Sequence, residues 1–258
     1  SQGKYFKVVD SDDWVDRDGI IGLVNVLRDT DADIVYSNFL WAIDNGTENI
    51  KSFKLKAEFE EPFSGVVYGK KYRFDSIADR TYIKMHNMTI KTDILKLNNI
   101  VIDEHLYYVD SEYILYPIPY VDTIIFIKDL VYYYRIGRAG QSVGVDKMKI
   151  YESHYDKVLK SLCSFYKGLN DKTLCSKSKK KYIAGVIARI VAGRLKVALS
   201  FPLKSNKKKT VVEFESLLKA SNRDIYDANI NLAVNILRRT NYLTFGLMSL
   251  VYKSVNKL

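Results

Sequence analysis

The strongest constraint on the fold is an acidic run that directly follows an apolar pair near the start of the chain. Residues 8–14 read VVDSDDW, so Val8 and Val9 precede three carboxylates and an aromatic ring. The apolar pair predicts the end of a buried strand, and the acidic residues predict a tight turn that leads into a helix. Because like charges on one turn repel each other, the turn requires a compensating partner.

Two interpretations of the acidic run stay open from the spacing alone. A hard divalent cation such as Mg²⁺ or Mn²⁺ takes oxygen ligands and commonly brings the phosphates of a substrate with it. Alternatively, Asp12 or Asp13 caps a helix that begins near Val15, which explains one carboxylate and leaves the others unexplained.

The composition narrows the class of protein. The 258 residues are 47% hydrophobic, enough for a sizeable core, and the net charge of +10 implies an anionic partner or surface. Two cysteines, Cys163 and Cys175, lack the spacing of a zinc site and indicate reduced thiols in a cytoplasmic protein. No apolar stretch of eighteen residues predicts a membrane span, and the basic balance comes without any nucleic-acid motif.

Hydrophobic periodicity and turn residues predict alternating strands and helices in the first half of the chain. Strands are predicted at residues 4–9, 33–38 and 82–90, and helices at residues 16–28, 92–97 and 110–117. Two hairpins are predicted in addition, one around Asp44-Asn45-Gly46 and one around Lys128-Asp129, the second joining strands at 123–127 and 130–135. The glycine-rich residues 137–144 predict a mobile loop.

From residue 146 onward the pattern becomes helical and basic, so a domain boundary is predicted there, between residues 1–145 and 146–258. Two largely apolar helices, near residues 182–201 and 242–252, carry basic residues on or beside them. Either helix could lie on an anionic membrane surface, could pack inside a helical subdomain, or could mediate homo-oligomerisation.

Three segments resemble motifs of the family 2 nucleotide-sugar glycosyltransferases, in the order in which that family has them. They are GKYFKVVDSDDW at residues 3–14, YYVDSEY at residues 107–113 and YYYRIGRAGQSV at residues 132–143. The resemblance covers about residues 3–145. It implies an α/β fold, namely the carboxyl-terminal portion of a glycosyltransferase-A type mixed sheet, followed by a mainly helical region.

The resemblance also implies roles for individual residues. The acidic run would be the Asp-x-Asp motif, in which Asp12, helped by Asp10, binds Mn²⁺ or Mg²⁺ and the diphosphate of a nucleotide-sugar donor. Three residues of the third segment would contact the bound donor: Arg138, Gln141 and Ser142. His86 falls on the acceptor side, although a lone histidine is more often structural.

The second segment would carry the general base. Asp110 is the predicted base, and Glu112 is its rival, since two residues along a helix turn the side chain by about 200° and only one can face the acceptor hydroxyl. A purely structural role, in which Asp110 caps its helix, stays open as well.

The resemblance predicts inverting, metal-dependent transfer of a sugar to a glycan or lipid-linked acceptor, in bacterial cell-surface polysaccharide or glycan synthesis. The protein would be cytoplasmic or peripheral on the inner face of the plasma membrane, and no nucleic-acid partner is expected. The family has about ninety residues before the Asp-x-Asp motif that are not matched here, so the donor pocket is expected to be incomplete. The alternative is a non-catalytic binding or scaffolding module derived from a glycosyltransferase.

Overall fold

The computed structural model describes residues 2–44, 46, 52–137, 141, 144–169 and 175–256. Its contacts divide the chain into two units. The first, called the sheet unit, comprises Ser1–Asp103, Val109–Gln141 and Leu174–Lys179. The second, called the helical unit, comprises Glu104–Tyr108, Ser142–Thr173 and Lys180–Leu258. The domain boundary near residue 146 stays a prediction, because units of packing need not be independently folding domains.

A seven-stranded mixed sheet forms the sheet unit, with the strand order β1-β6-β3-β7-β2 and with β4 and β5 added to β3 and β7. The strands are β1 (Tyr5–Phe6), β2 (Trp14–Val15), β3 (Ile34–Ile43), β4 (Lys54–Ala57), β5 (Lys71–Arg73), β6 (Met88–Lys91) and β7 (Thr123–Ile136). Its helices are α1 (Arg17–Asp29), α2 (Thr92–Leu97) and α3 (Asp110–Leu115). The predicted mixed α/β class is therefore confirmed.

The helix predicted at residues 16–28 is confirmed as α1, but its cap is neither Asp12 nor Asp13. Asp16 occupies the capping position, and its carboxylate accepts a hydrogen bond from the backbone N–H of Gly19 at 2.8 Å. The capping interpretation of the acidic run was wrong because the short strand β2 separates that run from the helix. All three carboxylates of the run therefore need another explanation.

The hairpin predicted around Lys128-Asp129 is wrong, because β7 is one continuous strand that pairs in parallel with β3. The register shifts between Tyr36, paired with Phe126, and Asn38, paired with Leu130, so the charged pair lies at a bulge and not at a turn. Helix α1 approaches this bulge closely through a glycine. A Cβ at Gly19 would lie 2.2 Å from the carbonyl oxygen of Leu130.

The other predicted elements are present with changed bounds. The strand predicted at residues 4–9 shortens to β1, which pairs antiparallel with β6, and the strand predicted at 33–38 extends to Ile43 as β3. β3 and β4 pair antiparallel on either side of the turn predicted at residues 44–46. Asn45 of that turn lies outside the described residues. The strand predicted at 82–90 is a 3₁₀ turn, Met85–Asn87, followed by β6, while α2 and α3 confirm the two short helices.

Helices α4 to α10 follow the sheet and account for most of the helical unit. They are α4 (Val145–Ile150), α5 (Glu152–Gly168), α6 (Lys177–Leu199), α7 (Lys207–Ser221), α8 (Arg223–Asp227), α9 (Leu232–Arg239) and α10 (Phe245–Asn256). Most side chains of α6 between Tyr182 and Leu199 are buried, so α6 is a core helix and not a surface helix. No helix of the described part of the chain is long and apolar enough to cross a membrane.

Candidate functional site

The acidic run forms a turn between β1 and β2 that is held by the neighbouring strand β7. The backbone N–H of Asp13 donates to the carbonyl of Asp10 at 3.2 Å, which closes the turn. The phenol of Tyr132, fully buried in β7, accepts from the N–H of Asp10 at 3.1 Å and donates to Oδ2 of Asp13 at 2.6 Å. The N–H of Arg135 donates to the other carboxylate oxygen at 2.8 Å. Asp13 is thus directed into the protein, with a side chain only 1% exposed.

Three side chains of this region could bind one metal ion. Asp10, Asp13 and His86 each offer one ligand atom, and these atoms all lie within 4.8 Å of one another. Nε2 of His86 lies 4.0 Å from Oδ2 of Asp13. His86 comes from the 3₁₀ turn before β6, and its ring packs on that of Tyr134, with 4.0 Å between the ring centroids. The sheet therefore joins residues that are more than seventy positions apart in the chain.

The imidazole of His86 is neutral and available as a ligand. Burial above all, with the charges of Lys7 and Lys84, lowers the pKa of His86 to about 3. Both ring nitrogens are buried without a hydrogen-bond partner among the described residues. A neutral imidazole has one acceptor nitrogen, so His86 offers a single ligand atom beside the two carboxylates.

Burial and the neighbouring negative charges raise the pKa of two carboxylates of the acidic run. Burial is the main cause that raises the pKa of Asp13 to about 6, and the charges of Asp12 and Asp10 add to it against the hydrogen bonds from Tyr132 and Arg135. The pKa of Asp10 is raised by burial and by Asp12. Two carboxylate oxygens and one neutral imidazole nitrogen suit a divalent cation such as Mn²⁺, so the residues present fit the metal that the sequence predicted.

Asp110 shares this region with the acidic run. It is the first residue of α3, where Val109 takes the capping position, and its side chain keeps access to solvent. The pKa of Asp110 is raised mainly by desolvation of its carboxylate and further by the negative charge of Asp10. The pKa of the Tyr134 phenol is raised to about 12 by its burial and then by Asp13, Asp110, Asp10 and Asp12, so all four carboxylates lie within electrostatic range of this phenol.

The rival base, Glu112, has a different environment. Its residue is fully buried, and its Oε2 accepts the backbone N–H of Asp103 at 2.8 Å. A carboxylate held in this way supports the chain between α2 and α3. Of the two candidates, the geometry therefore favours Asp110.

The residues predicted to contact the donor are described only in part. Gln141 lies beside the acidic run, where its amide donates to Oδ2 of Asp12 at 3.4 Å and to the carbonyl of Arg135 at 2.7 Å. The N–H of Gly137 donates back to Oε1 of Gln141 at 2.9 Å. Arg138 and Ser142 lie outside the described residues, as does most of the predicted loop at residues 137–144.

The structure brings the predicted site residues Asp10, Asp12, Gln141 and Asp110 into one region, but the compact group of possible metal ligands differs from the predicted one. The compact ligand group contains Asp13 and His86 and not Asp12. Asp13 had been set aside as a helix cap and His86 as a structural residue. Tyr132 is the first residue of the third motif segment, but that segment does not predict its contact with the turn, which depends on the pairing of β2 with β7.

The fold resembles that of two solved structures of an S. aureus protein, TarS. The structure of TarS superposes with a TM-score of 0.57 at 13% sequence identity, covering 95% of this chain and 40% of that chain. The structure of TarS 1-349 superposes with a TM-score of 0.59 at 13% identity, covering all of this chain and 68% of that chain. The sequence itself matches no protein-family model and no curated protein. The likeness shows that this chain shares the fold of TarS, and the chain spans about two fifths of the length of the longer TarS structure.

Proposed function

We propose that this chain carries the metal-binding and catalytic-base residues of an inverting glycosyltransferase that uses a nucleotide-diphosphate sugar. The observation that carries the proposal is the joint position of the Asp10, Asp13 and His86 ligand atoms and the accessible carboxylate of Asp110 near Tyr134. The glycosyltransferase-like fold supports it. Membership of family 2 is part of the proposal and rests on the three sequence motifs.

The proposed reaction is a single displacement at the anomeric carbon of the donor sugar. An acceptor hydroxyl forms the new C–O bond as the bond to the diphosphate breaks, and the bonding electron pair leaves with the diphosphate. The hydroxyl proton passes to Asp110. Its raised pKa makes it a stronger base than an ordinary carboxylate while its solvent access leaves room for the acceptor.

Asp10, Asp13 and His86 would hold the divalent cation, and Asp12 would contact the donor together with Gln141, Arg138 and Ser142. A bound cation would neutralise the charge that develops on the leaving diphosphate. The Asp12 ligand assignment stays a prediction, since its carboxylate is oriented by Gln141 and lies outside the compact group. Tyr132 and the Arg135 N–H fix Asp13 before any ligand arrives, which lowers the cost of organising the site.

The proposed acceptor is a glycan or a lipid-linked, phosphate-bearing molecule, in bacterial cell-surface polysaccharide synthesis. The net charge of +10 supports an acceptor of this kind. Homo-oligomerisation remains a further proposal. Because the chain spans 40% and 68% of the two TarS structures, binding of metal and nucleotide is a more direct test of the proposal than sugar transfer.

The test is calorimetric titration of the 258-residue chain with Mn²⁺, with and without UDP as a probe nucleotide. The proposal expects Mn²⁺ to bind and UDP to bind only with Mn²⁺. Asp13→Asn and His86→Gln should each weaken Mn²⁺ binding about 10- to 100-fold, whereas Asp31→Asn, at an exposed carboxylate paired with Lys71, should not. Unchanged Mn²⁺ affinity in both site variants would overturn the ligand assignment. Absence of Mn²⁺-dependent UDP binding, even when the family's unmatched amino-terminal portion is supplied, would instead favour the non-catalytic module.

A further inference from the structure

The last helix, α10, presents an apolar face to solvent. Leu247, Leu250, Val251 and Val255, together with Leu243 just before the helix, are between 54% and 80% exposed. Their spacing of three and four residues places them on one side, here called the outer face of α10. The opposite side packs inward, with Phe245 and Ser249 buried and the hydroxyl of Ser249 donating to the carbonyl of Leu199 at 2.6 Å.

The structure separates the two helices that the sequence analysis had treated alike. Core residues such as Ile187 and Val191 are fully buried, so α6 offers no apolar surface to a partner. On α10, by contrast, a row of large aliphatic side chains remains in water although the helix is anchored by its other side. An exposed contiguous patch of this kind marks a surface for association.

The segment of the chain that carries the outer face has charges of one sign. No acidic residue follows Asp227 in the sequence, whereas Arg238, Arg239, Lys253 and Lys257 do. The helical unit as a whole has 21 Lys and Arg against nine Asp and Glu, which gives +12, while the sheet unit is at −2. The entire positive excess of the chain therefore belongs to the unit that carries the outer face of α10.

The positive charge of the helical unit favours an anionic membrane over a second copy of the chain as the partner of this face. A second copy would bring another +12 unit against the first, and like charges oppose that contact. A bilayer with anionic headgroups attracts the basic residues and accepts aliphatic side chains below the headgroups. A twelve-residue helix, roughly 18 Å long, can lie in the plane of that interface, and it is too short to cross the bilayer.

We propose that the outer face of α10 docks the protein on an anionic membrane surface. Leu247, Leu250 and Val251 enter the headgroup boundary, while the exposed Arg239 and the half-buried Lys253 contact lipid phosphates. Arg238 is already paired with Glu215, at 2.5 Å, and is not assigned to lipid. The proposal rests on this surface alone and is independent of sugar transfer.

The test is co-sedimentation of the full chain with vesicles of phosphatidylcholine, with or without about 30% phosphatidylglycerol. We expect binding to the anionic vesicles only, weakened at roughly 0.5 M salt. The double variant Leu247→Glu/Leu250→Glu should lower the partition coefficient at least about tenfold. The matched control is Leu97→Glu/Val101→Glu, which places the same charges on exposed aliphatic residues of the sheet unit and should leave binding unchanged.

Equal binding of the wild-type chain to neutral and anionic vesicles would overturn the proposal, as would equal binding of both double variants. Light scattering of the same proteins provides a further criterion. If the α10 variant abolishes a dimer and leaves vesicle binding intact, the outer face contacts a second copy and the proposal is wrong. Far-ultraviolet circular dichroism shows that each variant is folded.

Discussion

Replacing Tyr132 by Phe tests whether the turn at the candidate site is organised by β7. The substitution removes one oxygen atom from a fully buried side chain and leaves the ring. That oxygen makes two hydrogen bonds: it donates to Oδ2 of Asp13 at 2.6 Å and accepts the N–H of Asp10 at 3.1 Å. Both would be lost together, while the N–H of Arg135 would still hold Asp13.

The expected cost in stability follows from the two bonds. A hydrogen bond to a charged carboxylate contributes about 1.5–3 kcal/mol, and a partly buried N–H left without its partner costs about 1 kcal/mol more. Tyr132→Phe should therefore lower the free energy of unfolding by about 2.5–4 kcal/mol. Against a typical total of about 5–15 kcal/mol, a loss of this size is readily measured by urea unfolding.

The same variant should bind Mn²⁺ about 10- to 100-fold more weakly, because the phenol orients the carboxylate that is proposed as a ligand. The measurement belongs at about pH 8, well above the pKa of about 6 of Asp13, so that the carboxylate is charged before the substitution. Tyr166→Phe is the matched control. It removes a phenol that donates to Asp224 at 2.9 Å in the helical unit, so it should reduce stability and leave Mn²⁺ affinity unchanged.

Two results would refute this reasoning. If Tyr132→Phe changes the free energy of unfolding by less than about 0.5 kcal/mol, the phenol does not hold the turn. If both tyrosine variants lose Mn²⁺ affinity equally, the loss reflects general destabilisation and not the orientation of Asp13.

Three further predictions follow from single residues. Asp110→Asn should reduce sugar transfer at least about 100-fold with nearly unchanged donor binding, measured by a coupled assay and calorimetry, and equal loss of both would argue against a base. Gly19→Ala should lower the free energy of unfolding by about 1–3 kcal/mol, because the new Cβ would lie 2.2 Å from the Leu130 carbonyl oxygen. Gly185→Ala in α6 should instead raise it by up to about 1 kcal/mol, since no other part of the protein lies within 4 Å of a Cβ there. Urea unfolding measures both changes. Burial raises the pKa of Cys163 to about 11. At pH 8, iodoacetamide should therefore alkylate the Cys163 thiol about two orders of magnitude more slowly than it alkylates the thiol of free glutathione. Mass spectrometry measures both rates, and equal rates would contradict the burial of Cys163.

Local sequence patterns predicted those elements whose neighbours in the fold are also neighbours in the chain. The periodic apolar residues of α1 gave its bounds to within one residue. The bulge in β7 was misread as a turn, because a Lys-Asp pair between two apolar runs is the pattern of a hairpin. What makes the bulge acceptable is the absence of a side chain at Gly19, more than a hundred residues earlier, and no local window contains both positions.

The same limit applies to the candidate site. Asp10, Asp12 and Asp110 were identified because their segments carry recognisable motifs. His86 had no such context, and its role depends on the pairing of β6 with β1 and β3, which sets the turn that carries it beside the acidic run. The contact between Tyr132 and Asp13 spans 119 positions, so only the structure could show it.

The three carboxylates of the acidic run are not equivalent, and this bears on what the run does. Asp10 is exposed and Asp13 is buried against β7, so one turn both faces solvent and is fixed from behind. The phenol of Tyr132 occupies only one of the two lone pairs of Oδ2 of Asp13, and the other remains for a cation on the side of His86. A turn used only for structure would need one buried carboxylate and no unsatisfied imidazole beside it. Because the exposed carboxylate and the neutral His86 converge on the same small volume, the arrangement supports the proposed cation site.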